Sequence, residues 1–155
     1  MVARTSGRAA RHVAAAFAFF LLAVVARPVH AQDVMTSVTD KHMEALLGGL
    51  DLTFSKKGEH SWRIELGGKK ALLIMGNDNT DAQLYIAFGD IQVSTGKMND
   101  WNDDHRFGRA YADGARNPVL ESDLDFAGGV TDGAINAWIT LFGAQVNSYV
   151  KFLND

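Results

Sequence analysis

The chain contains no cysteine and only two prolines in 155 residues. The first absence excludes disulfides, thiolate zinc sites, iron–sulfur clusters, a cysteine nucleophile and a lipid-modified N-terminal cysteine. The second excludes a proline-rich linker or a collagen-like segment. Excess positive charge is also missing. The formal net charge is -3 at pH 7, so an anionic polymer has no electrostatic hold and nucleic-acid binding is not expected. Catalytic motifs are absent too: there is no G-x-S-x-G nucleophile elbow, no H-E-x-x-H and no H-x-x-x-H. Gly67-Gly68 and Gly128-Gly129 fit no phosphate-binding pattern and read as turns. No catalytic residue and no cofactor is expected.

What is present is a globular composition, 47% hydrophobic and 21% charged, of a length that suits one domain. Charge is unevenly spread. Residues 1–31 carry Arg4, Arg8, Arg11 and Arg27 and no acid, so the rest of the chain has a net charge of -7. Val13–Ala26 is an unbroken apolar run, followed by Val29-His30-Ala31. A basic start, an apolar stretch and small residues at a cleavage position spell a secretory signal peptide, cut after Ala31. Fourteen apolar residues span about 21 Å as a helix, short of the roughly 30 Å hydrocarbon core, so a membrane anchor is the weaker reading. Export is expected to give a periplasmic or secreted protein with no stable membrane insertion.

The remainder divides into a flexible leader over 32–38 and one domain over 39–155. Thr39 is placed to cap a helix with Met43, Leu46, Leu47 and Leu50 on one stripe, ending at Gly48-Gly49. Leu52 and Phe54 alternate with polar residues, and Lys57-Gly58 signals a turn. Trp62, Ile64 and Leu66 alternate with polar residues. Gly67-Gly68 turns the chain into Ala71–Met75, a central strand, and Leu84, Ile86 and Phe88 mark a further one. Ser94 or Thr95 opens a short helix with Met98, Trp101 and His105. Strands follow near Gly108–Ala112 and Val119–Phe126. On the second, Leu120, Leu124 and Phe126 share one side; Val119, Glu121, Asp123 and Asp125 share the other, expected to face water. Thr131 caps the last helix, whose apolar stripe includes Ile135, Trp138, Phe142, Val146 and Tyr149. One edge of that stripe, at Tyr149 or Phe152, is a candidate contact for a second subunit. Hairpin-linked strands with helices around them read as α+β in two layers, an antiparallel sheet with helices.

Trp101-Asn102, Arg106-Phe107, Arg109-Ala110-Tyr111, Leu120-Glu121-Ser122-Asp123-Leu124 and Gly128-Gly129-Val130-Thr131 occur in that order. Together they resemble the YbjN family of bacterial sensory transduction regulators, over roughly Thr39–Asn154. The resemblance implies a fold like that of type III secretion chaperones, with the order α-β(3,4)-α-β(2)-α. It implies no catalytic residue, and it makes a homodimer plausible. Many relatives look cytoplasmic, so an export signal sets this chain apart.

Trp101, Asn102, Arg106 and Arg109 form the candidate interaction surface. Each has a structural reading beside it. Trp101 can pack into the sheet, Asn102 can satisfy local backbone groups, and the arginines can pair with Asp103, Asp104 or the Glu121 stripe. His42, His60 and His105 are the histidines after residue 31. Asp100-x-Asn102-x-Asp104 and Asn77-x-Asn79-x-Asp81 echo the start of a calcium loop. Position 6 is His105 or Ala82 where glycine is needed, and position 12 is Tyr111 or Phe88 where glutamate is needed. No metal site is therefore expected. The function expected is a non-enzymatic, chaperone-like interaction module of the cell envelope, bound to an envelope protein or peptide and linked to sensory or stress regulation. The alternative is a periplasmic sensor of a small ligand or divalent metal.

Overall fold

The computed structural model describes residues 33–155, which it resolves into α1 (Asp40–Gly49), β1 (Phe54–Gly58), β2 (Ser61–Leu66), β3 (Lys69–Met75), β4 (Asp81–Ala87), α2 (Thr95–Asp104), β5 (Arg109–Ala112), β6 (Pro118–Asp125) and α3 (Asp132–Asn154). The expected signal segment and its cut after Ala31 lie outside the described residues. Every strand pairs antiparallel, in the order β1-β2-β3-β4-β6-β5. The class is α+β, as the patterning predicts.

Each helix starts where a hydroxyl can satisfy an otherwise unpaired amide. Thr39, Ser94 and Thr131 accept from the backbone N–H three residues on, at His42, Lys97 and Ala134. The sheet's alternation then sorts its side chains. Trp62, Ile64, Leu73, Leu84, Ile86 and Leu120 join the buried residues of all three helices in one core. The helices therefore cover one face of the sheet. α3 contributes most to that core, including Ile135, Ile139, Phe142, Val146 and Tyr149. Tyr149 is wholly buried, its hydroxyl donating to the Val119 carbonyl at 3.1 Å, so it offers no edge to a second subunit. Burial pushes its phenol well above the usual range.

Two local expectations change. The β1–β2 turn falls at Glu59-His60, not at Lys57-Gly58, because β1 is carried on past Lys56. Lys56 reaches α1, with Nζ 2.7 Å from Asp40 Oδ2, and lies over the Trp62 ring. That ammonium, above all, holds the Asp40 carboxyl below the usual carboxylate range. The leader over 32–38 is not loose along its whole length. Met35 and Val130 exchange backbone hydrogen bonds of 2.8 Å, and Val38 is buried in the core. An apolar side chain with core space beside it outweighs the entropy of a short segment.

Candidate functional site

Among the described residues, no helix covers the sheet's other face. Register places Ser55, Arg63, Leu72, Tyr85, Glu121 and Arg109 side by side in one row across all six strands. Apolar and aromatic groups hold the middle of this open face. Leu72 and Tyr85 are half-buried, and Ile74, one step along β3, is 38% exposed. A groove of about 350 Å³ runs over Arg63, Lys70, Leu72, Tyr85, Ile86 and Ala87. A second, of about 330 Å³, lies at the β5–β6 end, between Phe107, Gly108, Arg109, Glu121, Ser122 and Asp123.

The two ends differ in charge. Arg63 and Lys70 stand at the β2–β3 end together with the exposed Glu65, which the register sets opposite Lys70, and among the described residues none of the three is in an ion pair. Asp123 and Asp125 are exposed on β6, and Asp123 only accepts a 3.0 Å hydrogen bond from Gln83. Glu121 departs from the water-facing stripe expected of it: its side chain is 4% exposed. Arg109 Nη2 and the Tyr111 hydroxyl both donate to its carboxylate. Alternation along β6 reveals two faces, but not that β5 lies alongside and lays Arg109 and Tyr111 over one residue. Burial first, and the bond to Glu121 second, push the Tyr111 phenol up to about 12. The Glu121 bond likewise raises Arg109.

This pair sets a testable cost. Removing one partner strands a buried carboxylate. Arg109 is itself largely exposed, which lowers the expected figure to about 1–2 kcal/mol for Arg109→Met. Arg109→Met combined with Glu121→Leu is expected to recover most of the loss, because no charge then stays buried. Urea denaturation of the two singles and the double would show it. A double variant as weak as the sum of the singles would contradict the pairing.

The sheet's edges are guarded. β1 carries Lys56 and Lys57 and a bulge before Gly58, and β5 has only four residues. Both are devices that discourage strand addition. The face, not an edge, is the surface this sheet offers.

The four residues singled out from sequence do not converge. Trp101 is wholly buried on α2, stacked on His105 with ring centroids 3.5 Å apart. Asn102 closes a two-way hydrogen bond with the Ala110 backbone, at 2.8 and 2.9 Å. Trp101, wholly buried, offers no docking surface, while Asn102 stays exposed with its amide engaged by Ala110. Arg106 is exposed and unpaired among the described residues, and its carbonyl accepts from Gln145. Only Arg109 lies on the open face, paired with an acid of the expected stripe. The residues that sequence reasoning missed are Leu72, Ile74, Tyr85 and Tyr111. Their one signal was parity: each sits out of phase with the core-facing residues of its own strand.

Among the described residues, no group of three or more His, Asp or Glu side chains is gathered to hold a metal ion. No described helix is long and apolar enough to cross a membrane.

Among the described residues, one covered face, one open face and helices confined to a single layer define the class, a two-layer α+β domain. The chain belongs to the YbjN family, whose model, described as "Putative bacterial sensory transduction regulator", matches residues 39–155. The match begins at the cap of α1 and takes in every described helix and strand. Comparisons with curated proteins and with solved structures return no match. The family is described as regulatory, not as an enzyme.

Proposed function

We propose that the chain is an exported, non-catalytic interaction module of the cell envelope, periplasmic or secreted, that serves regulation by docking another polypeptide on its open sheet face. The observation that carries this reading is the uncovered row from Arg63 to Arg109, with apolar and aromatic groups at its centre. Exposed apolar surface rimmed by polar groups is the usual mark of a docking site. Export rests on the basic, apolar and small-residue order of residues 1–31.

A photo-crosslinking amino acid placed at Ile74 tests the face inside cells, with Ala137 on the exposed side of α3 as control. Adducts are expected from position 74 and not from position 137. Absence of any adduct at position 74 counts against the face. The same cells test export: the protein released by osmotic shock is expected to begin at Gln32 by mass spectrometry. Retention of the full chain in the cytoplasm would refute that part.

A further inference from the structure

We infer that the polypeptide docked on the open face is a basic segment in extended form, with one apolar side chain on Phe107, another on Ile74 and a lysine or arginine between them. This rests on the docking role proposed for that face and states the chemistry of its occupant. Phe107, two residues before β5, is 73% exposed and holds a φ of +68°. Both features work against stability: an apolar ring left in water, and a bulky residue in left-handed backbone. Yet its loop is fixed from below. Ser122 Oγ donates to the Phe107 carbonyl at 2.6 Å and accepts from Trp138 Nε1 at 3.0 Å, and Gln145 donates to the Arg106 carbonyl. Ser122, Trp138 and Gln145 are all buried. They hold the ring in one place, and a fixed aromatic loses little entropy when a partner covers it.

Charge decides the partner. On this face Asp81 stands directly opposite Asp125, and Asp123 opposite Gln83. All three acids are exposed, and among the described residues none is in an ion pair. Like charges paired across strands oppose folding, so the same end carries a second feature that the fold does not need. Arg109 lines the groove with Phe107 and Asp123, but it is already paired with Glu121. Arg106 is outnumbered by the exposed Asp103 and Asp104 just before it. The net charge of -7 outside residues 1–31 also draws in a basic partner. Geometry sets the spacing. Ile74, Gln83 and Asp123 form one row, and Phe107 shares its groove with Asp123. From Phe107 to Ile74 is three strand spacings, roughly 14 Å. An extended chain covers that in about four residues, with alternate side chains facing one way. Apolar groups at i and i+4 then meet Phe107 and Ile74, and a cation at i+2 reaches Asp123.

Two synthetic peptides test the chemistry: three repeats of Leu-Ser-Lys-Ser, and the same peptide with glutamate for lysine. In NMR titrations of the protein obtained by expressing the full chain, the lysine peptide is expected to bind at least about 10-fold tighter and to move the amides of β4 and β6. Raising salt from about 50 to about 300 mM is expected to loosen it several-fold. Phe107→Gly is expected to weaken binding at least about 10-fold, as is Asp81→Asn joined with Asp123→Asn and Asp125→Asn. Neither variant is expected to melt below wild type, because glycine accepts that φ and asparagine removes the facing charges. A glutamate peptide bound equally well, or binding indifferent to both variants, overturns the inference. The photo-crosslinker at position 74 separates the two levels. The segment it captures, sequenced by mass spectrometry, is expected to be basic. An acidic segment, or an adduct of twice the chain mass, overturns the basic occupant and leaves the docking role standing. No adduct, with neither peptide bound, removes both.

Discussion

Trp101→Ala is expected to destabilise the domain by about 3–5 kcal/mol, the range for emptying a core site of an aromatic. α2 has ten residues and buries only two of its side chains, Met98 and Trp101. Short helices are held by packing and not by their own propensity, so losing one of two anchors loosens the whole element. Trp101 also joins helix to helix. Its ring meets Tyr149 edge-on at 4.8 Å and Phe152 at 5.4 Å, both on α3. Asn102, next in sequence, ties α2 to β5 through Ala110, and that tie depends on α2 staying docked.

Against a total stability of about 5–15 kcal/mol, the loss is large enough to unfold part of the population at 37 °C. In thermal denaturation it corresponds to a fall of about 10–20 °C in Tm for a domain of this size. Trp101→Phe is the control. The Trp101 indole N–H has no hydrogen-bond partner in its buried site. Phenylalanine removes that unmet donor along with some ring volume, so the cost is expected to stay below about 2 kcal/mol. A Trp101→Ala variant that melts within about 2 °C of wild type would mean that Trp101 does not anchor α2.

Trp101 also shows what a sequence of this kind tells and what it withholds. Its spacing from Met98 placed it on a helix and made burial one of two readings, and the packed core decides between them. Helix starts were legible because a cap acts within three residues: Thr39, Ser94 and Thr131 are all where the hydroxyl-then-apolar pattern puts them. Strand faces were legible for the same local reason, alternation. The pairing of Arg109 with the Glu121 stripe was among the readings, but Glu121 was expected to face water, because nothing in β6 alone announces that β5 lies alongside and covers it. The leader was misread because Met35 meets Val130 across most of the chain. The open face stayed hidden for a larger reason. Parity separates Leu72 and Tyr85 from the core-facing residues of their strands, but only the tertiary arrangement shows that none of the described helices returns to cover them.

Gly67→Ala is expected to cost about 2–5 kcal/mol, while Gly68→Ala, one residue on, is expected to cost about 1–2. Both glycines form the two-residue β2–β3 turn, and both have positive φ, +56° and +70°. Two-residue hairpins favour this conformation because its twist matches that of the strands. A side chain in it costs about 1–2 kcal/mol at either position. The difference lies in what a Cβ would meet. At Gly68 there is nothing within 4 Å. At Gly67 it would fall 2.7 Å from Asn147 Oδ1 and 3.0 Å from the Gly143 carbonyl, both on α3. Asn147 can swing aside, since it is exposed. The Gly143 carbonyl belongs to helix backbone and cannot move without shifting α3 or the hairpin. Overpacking of that kind adds about 1–3 kcal/mol. Asparagine tolerates positive φ and separates the two causes. Gly68→Asn is expected to cost under about 1 kcal/mol, while Gly67→Asn retains the clash. Denaturant midpoints of the four variants would show the split, and equal costs at the two positions would mean that α3 does not pass the turn this closely.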